Sequence, residues 1–229
     1  MVLHPTRRTS ILQTRRDRLV NHPNFRYATL RISSYPLILI FLGGFSITTT
    51  FTTAREGVCV ISLTGHRPDK LAGYDMNQPY YHRLFQRLVA IIEHALASYP
   101  VVECHSGMAL GADTVWADAI VACQAKYGRD RVPFVAEIPS FGQSRRWPPR
   151  SRAKWTELMA HANTVRQYAP QNVGRSYAYI LNQRNIGMIE ACDMLIAVYN
   201  GEASGGTANG VKDGIRLGKW IYTIDPKSI

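Results

Sequence analysis

From Val58 to Ile224 the chain alternates short, β-branched apolar runs with segments of helical periodicity, and few architectures accept that rhythm. Val58–Leu63 is a continuous apolar run closed by Thr64-Gly65, the pattern of a strand buried on both faces. Leu84, Leu88, Ile91, Ile92 and Leu96 then recur at helical spacing within a predicted helix from Asn77 to Ser98. Val101–Ser106 is a second strand, followed by a helix over Gly111–Ala125. Val132–Ile138 is a third strand, stopped by Pro139. Helix Ser151–Ala162, a weaker strand Thr164–Tyr168, helix Tyr177–Ala191, strand Met194–Tyr199, helix Gly206–Leu217 and strand Trp220–Ile224 complete the series.

Strands that alternate one for one with helices imply right-handed crossovers and a sheet covered on both sides. The expected fold class is therefore α/β: a Rossmann-like, doubly wound, mostly parallel sheet of about six strands with helices on both faces. No linker or internal repeat interrupts the series, so residues 58–229 are expected to form one domain. In such sheets a ligand sits beyond the carboxyl ends of the strands, where the strand order reverses.

Three strand ends carry unusual loops. The first is Thr64-Gly65-His66-Arg67-Pro68, where Gly65 permits a tight turn and His66 and Arg67 offer donors to an anion. Alone it reads as an ordinary turn with a solvated arginine. The second is Ser106-Gly107-Met108-Ala109-Leu110-Gly111-Ala112-Asp113, leading into a helix. Its glycines let backbone N–H groups approach a ligand, the helix N-terminus adds positive dipole, and Asp113 suits either a helix cap or a ribose hydroxyl. The third runs from Asn200 to Gly210 through Gly205-Gly206-Thr207, with Thr207 placed to donate to phosphate. Two glycine-rich loops at strand ends of one sheet favour an anion or nucleotide pocket over coincidental turns. The chain has no GxxxxGK[ST], which excludes a P-loop nucleotidase, and the first junction lacks the GxGxxG of dinucleotide dehydrogenases.

Taken together these segments, with Gly142-Gln143 and Trp147, Arg184-Asn185 and Met188, and Asp193 to Gly201, resemble the SLOG superfamily. The likeness is strongest to its YspA/YpsA-like branch of bacterial and phage proteins, linked to DNA recombination mediators, and spans residues 58 to about 219. The resemblance implies a Rossmann-like pocket that senses, sequesters or processes a nucleotide or nucleotide-derived ligand, and the cysteine pattern and cofactor-type fold predict a cytoplasmic protein. It implies ligand contacts at Gly65, His66, Arg67, Ser106, Gly107, Gly111, Ala112, Asp113, Arg184, Asn185, Gly205, Gly206 and Thr207. No cofactor beyond the nucleotide-type ligand is expected, and the histidines and carboxylates form no metal-binding or Ser/His/Asp pattern.

The same superfamily includes the LOG phosphoribohydrolases, which cleave nucleoside monophosphates with an arginine in RKxxM and a glutamate in PGGxGTxxE. Arg184 and Met188 fit the first motif, but Lys212 stands where the second requires the glutamate. An oxocarbenium-like transition state needs a carboxylate nearby, so cleavage here would have to use other residues, with Asp113, Glu202 and Asp213 as candidates. A second alternative is DprA-like binding of single-stranded DNA. Between Arg145 and Trp155, five basic residues are interleaved with Trp147 and Trp155, a composition suited to phosphates and unpaired bases. Gln143 and Trp147 are expected to form a lid on the pocket, with Arg145, Arg146 and Arg150 the nucleic-acid candidates.

Charge argues for restraint on that alternative. The net charge is +11, but residues 1–57 hold +6 of it and the proposed domain only +5. The first 57 residues are expected to be a disordered or non-native extension with a short apolar segment from Pro36 to Phe45, with a signal peptide or organelle-type presequence as the alternative. Ten apolar residues fall short of the roughly 20 needed to cross a bilayer as a helix, so no membrane partner is expected. Cys59, Cys104, Cys123 and Cys192 are widely spaced and mostly in apolar runs, which predicts buried free thiols. The expected partner is a nucleotide-type small molecule, with single-stranded DNA and a second copy of the chain as further candidates.

Overall fold

The computed structural model describes residues 53–229, together with the backbone of β1 (Ile38–Leu42) and β2 (Phe45–Thr49). These two strands form an antiparallel hairpin, Ile38 in register with Thr49 and Leu42 with Phe45. They begin within the short apolar segment noted above, whereas the disorder expected for residues 1–35 lies outside the described residues.

The remaining strands are β3 (Val58–Gly65), β4 (Val101–Ser106), β5 (Phe134–Ile138), β6 (Thr164–Gln167), β7 (Met194–Val198) and β8 (Trp220–Ile224). The helices between them are α1 (Pro79–Leu96), α2 (Ala112–Tyr127), α3 (Pro149–Ala160), α4 (Tyr177–Ala191) and α5 (Gly206–Arg216). All six strands run parallel in the order β6-β5-β4-β3-β7-β8. The fold is thus α/β and doubly wound, as the alternation of elements requires. The chain winds outward from β3 to β6, then returns to pair β7 with the other side of β3. The reversal between β3 and β7 opens a crevice at their carboxyl ends.

Each face of the sheet buries what its period-two pattern supplies. Cys59, Ile61 and Leu63 of β3, with Val102, Phe134 and Ile138, pack against Leu84, Leu88, Trp116, Ile120 and Leu158 from α1, α2 and α3. Burying one such side chain stabilises by about 1.5–3 kcal/mol before entropy is counted. On the other face Val60 and Leu195 meet Ile189 and Cys192 beneath α4 and α5. The four cysteines are free and buried. Helix α3 begins at Pro149, two residues before the expected start, because a proline at the first helical position loses no hydrogen bond.

One buried element is not apolar. His105 of β4 is enclosed, with Nδ1 2.9 Å from Glu137 Oε1 and Nε2 2.8 Å from Glu103 Oε1. Carboxylates only accept, so both ring nitrogens must donate and the ring is an imidazolium. Burial pushes the His105 pKa down, but the two carboxylates outweigh it and the net shift is upward. The hydrogen bond from His105, opposed by burial and reinforced by Arg55, holds Glu103 at about 2. Arg166 Nη1 (3.0 Å) and the Tyr168 hydroxyl (3.0 Å) complete the shell around Glu137.

Among the described residues, no helix is long and apolar enough to cross a membrane.

Candidate ligand-binding site

The crevice between β3 and β7 holds a cavity of about 440 Å³. Its floor is Leu63, Thr64 and Leu195; Gly65, His66, Arg67 and Lys70 form one wall and Ser204–Thr207 another. Helix α4 supplies the third wall through Arg184, Asn185 and Met188. Asp113, at the start of α2, closes the back.

The glycines of the three loops fall into two kinds. A Cβ on Gly65 would lie 2.4 Å from the Ala112 Cβ, and one on Gly111 would lie 2.5 Å from the His66 carbonyl oxygen. These positions let the first loop lie directly on the start of α2, where Ala112 N donates to His66 O at 3.2 Å. A Cβ on Gly107 would lie 1.4 Å from Arg184 Nη1, so the glycine makes room for the guanidinium. A Cβ on Gly205 or Gly206 would meet nothing within 4 Å, and Gly205 has φ of +106°. These two face open space in the cavity wall. No side chain caps the α5 N-terminus, so its first amides point at the cavity with the positive end of the helix dipole.

Arg184 is 5% exposed, and its Nη1 lies 3.7 Å from Asp113 Oδ2. That separation is an ion pair without a hydrogen bond. Nη1 reaches Met188 Sδ at 3.4 Å, and Nε has no hydrogen-bond partner among the described residues. The guanidinium is therefore desolvated but incompletely satisfied. Burial pulls its pKa below the usual value and pushes that of Asp113 above the usual carboxylate range, while each charge partly restores the other. The Asp113 carboxylate accepts from Ala109 N at 3.3 Å, upstream of the helix, and does not cap α2. Arg67, exposed at the rim, makes no side-chain hydrogen bond or ion pair among the described residues.

Nine of the expected ligand contacts line the cavity: Gly65, His66, Arg67, Asp113, Arg184, Asn185, Gly205, Gly206 and Thr207. Ser106, Gly107, Gly111 and Ala112 do not. Ser106 is fully buried, its Oγ donating to Asp113 O and accepting from Met108 N, both at 3.2 Å. His66 Nε2 lies 2.8 Å from Asn200 Oδ1 and 3.2 Å from Asn200 N, so the tautomer decides which bond it makes.

The expected lid is elsewhere. Gln143 is buried and donates to the carbonyls of Gly107 (2.9 Å) and Met108 (3.1 Å), pinning the second loop from behind. Trp147 and Arg150 line a different cavity, and Arg145 and Arg146 are exposed outside both. Lys212 donates to Ala203 O at 2.8 Å, bracing the third loop without lining the cavity. Asp69, Lys70 and Asn182 also line the crevice, though no motif in the sequence singles them out. Lys70 pairs with Glu202 and joins the first and third loops. Asn182 sits three residues before Asn185, and helical spacing alone would have placed it on the same face.

Among the described residues, no group of three or more His, Cys, Asp or Glu side chains is arranged to hold a metal ion. No protein-family model matches the chain, and no curated protein matches it.

Proposed function

We propose that the β3–β7 crevice binds a nucleotide or nucleotide-derived ligand, as expected of a SLOG-type domain, with a phosphate seated at the α5 N-terminus. One observation carries this reading: the uncapped helix start at Gly205-Gly206-Thr207 opens onto a cavity that also holds the incompletely paired Arg184. Free amides, a helix dipole and a guanidinium together favour a compact anion. Arg67 at the rim, which makes no side-chain hydrogen bond or ion pair among the described residues, adds a second cation. The cavity volume of about 440 Å³ lies within the range of roughly 300–1,000 Å³ for small-molecule sites.

Thermal shift of the full chain against a panel of nucleoside mono-, di- and triphosphates tests the proposal. A ligand at a hundredfold excess over its Kd adds roughly 2.7 kcal/mol of stability. Gly206→Val places branched carbons where the phosphate approaches and removes that gain. Failure of every nucleotide to stabilise the chain at millimolar concentration refutes the reading.

A second reading has one observation in its favour. Asp113 brings a carboxylate with a raised pKa into the same cavity, the kind of group N-glycosidic cleavage uses in place of the glutamate lost at Lys212. Release of ribose 5-phosphate from a nucleoside monophosphate, abolished by Asp113→Asn, would establish it.

A further inference from the structure

A second cavity, of about 600 Å³, lies beside the first without sharing a lining residue. Arg67 and Asp113 line one, while their chain neighbours Pro68 and Thr114 line the other. It is bounded by the β3–α1 connection, the start of α2 and the first turns of α3. We propose that this cavity is a binding site in its own right, for a planar aromatic molecule carrying one anionic group, with Arg150 receiving the anion.

The walls specify the ring. Trp147, Trp155 and Tyr74 supply flat aromatic surface, and Met76, Met108 and Leu158 supply polarisable or aliphatic surface between them. Tyr74 is 64% exposed, a large apolar ring held at the cavity rim with no core to cover it. The Nε1 donor of Trp155 is buried and has no hydrogen-bond partner among the described residues, so Trp155 meets the cavity through its ring. The volume suits a ligand of one or two fused rings with a substituent.

The charges specify the substituent. Lys154 is engaged by Asp118 at 2.7 Å and Glu157 at 2.9 Å. On the opposite wall Asp75 accepts from Asn77 N at 3.1 Å. Arg150 makes no hydrogen bond or ion pair among the described residues and is exposed at the cavity edge. It also stands in the first turn of α3, which has no acidic residue and whose N-cap, Pro148, offers no side-chain cap. A cation there opposes the helix dipole, and an anion bound between the Arg150 side chain and the amides of Arg150 and Ser151, the two that Pro149 and the Arg152 N–Pro148 O bond leave, satisfies both. The site does not depend on the first pocket being a nucleotide site.

The test uses anilinonaphthalene sulfonate, an aromatic anion with a flat naphthalene ring that fluoresces in apolar surroundings, with the full-length chain. Saturable binding is expected. Arg150→Glu should weaken it about tenfold, the scale of one lost charge-assisted hydrogen bond. Ser151→Phe, which places a ring in the cavity mouth, should remove it, while Gly206→Val in the first pocket should leave it unchanged. Adenosine monophosphate and indole acetate, added as competitors, distinguish a nucleotide source from an aromatic carboxylate source. Displacement by either supports the site. Displacement by neither overturns the proposal, as does probe binding that both cavity variants retain.

Discussion

The buried pair of Arg184 and Asp113 makes a stability prediction with a sign. At 3.7 Å in a protein-like dielectric of about 20, the attraction is about 4–5 kcal/mol, and it is set against the desolvation of both ions. Arg184→Ala removes the attraction and leaves the desolvation of Asp113, so the expected loss at neutral pH is about 3–5 kcal/mol. Burial already raises the Asp113 pKa, and losing the guanidinium raises it further. A carboxylate with a raised folded pKa binds its proton more tightly in the native state, so in the variant stability falls as pH rises through the native pKa. The deficit of Arg184→Ala should therefore be larger at pH 8 than at pH 5. Urea unfolding followed by tryptophan fluorescence at both pH values measures it. Adding Asp113→Asn should recover part of the loss, because the stranded charge is gone. A pH-independent deficit, or additive losses in the double variant, would refute the account of the pair as a coupled unit.

Gly107→Ala should destabilise strongly, since its methyl would fall 1.4 Å from the Arg184 guanidinium, whereas Gly206→Ala should leave the melting temperature within a degree or two of the parent. Differential scanning calorimetry on the two separates packing glycines from ligand-facing ones. The His105 network should give a stability optimum in pH. The Glu103 contribution, with a native pKa of about 2, is complete above the ordinary value of 4.5 and lost as pH falls toward 2. The His105 contribution is complete below 6.5 and lost as pH rises through its higher native pKa. His105→Gln should flatten the alkaline side of the profile, and a profile unchanged by that variant contradicts the imidazolium assignment. Residues 53–229 should fold without the preceding chain. Starting instead at residue 58 removes the bonds from Ala54 N to Asp193, Val58 N to Arg55 O and Val101 N to Gly57 O and the Arg55–Glu103 pair, a loss of about 1–2 kcal/mol visible in the urea midpoint.

The strand and helix pattern is legible because each element satisfies a local rule. β4 at Val101–Ser106 and α4 at Tyr177–Ala191 begin and end where the sequence places them, and Ser176 Oγ accepts from Tyr179 N as a helix cap should. Pro148-Pro149 reads as loop, though the second proline opens α3. The site is legible only as far as its loops. All glycines look alike in a sequence, and only the packing of α2 on the first loop separates Gly65 and Gly111 from Gly205 and Gly206. Trp147 follows a strand end, which suggests a place over the same pocket. It instead reaches the far side of the β4–α2 loop, a distinction that depends on which helix covers which sheet face. The placing of Glu103 and His105 on one face follows from period-two alternation. Their meeting with Glu137 needs the β4–β5 register, in which His105 pairs with Val135.

The division between the two kinds of glycine bears on how such a chain can diversify. Gly65 and Gly111 let the first loop lie directly on the start of α2, and Gly107 makes room for the Arg184 guanidinium. The stretch from Ala203 to Gly206 is exposed and shapes the cavity while contributing little to the core. Changes at residues 203, 204 and 206 alter what the crevice accepts without disturbing the assembly of the sheet, so drift in specificity and drift in stability are decoupled there. A randomised library confined to residues 203, 204 and 206, with Gly205 kept for its φ of +106°, should yield mostly folded proteins of varied ligand preference, whereas one confined to residues 107–111 should yield mostly unfolded ones.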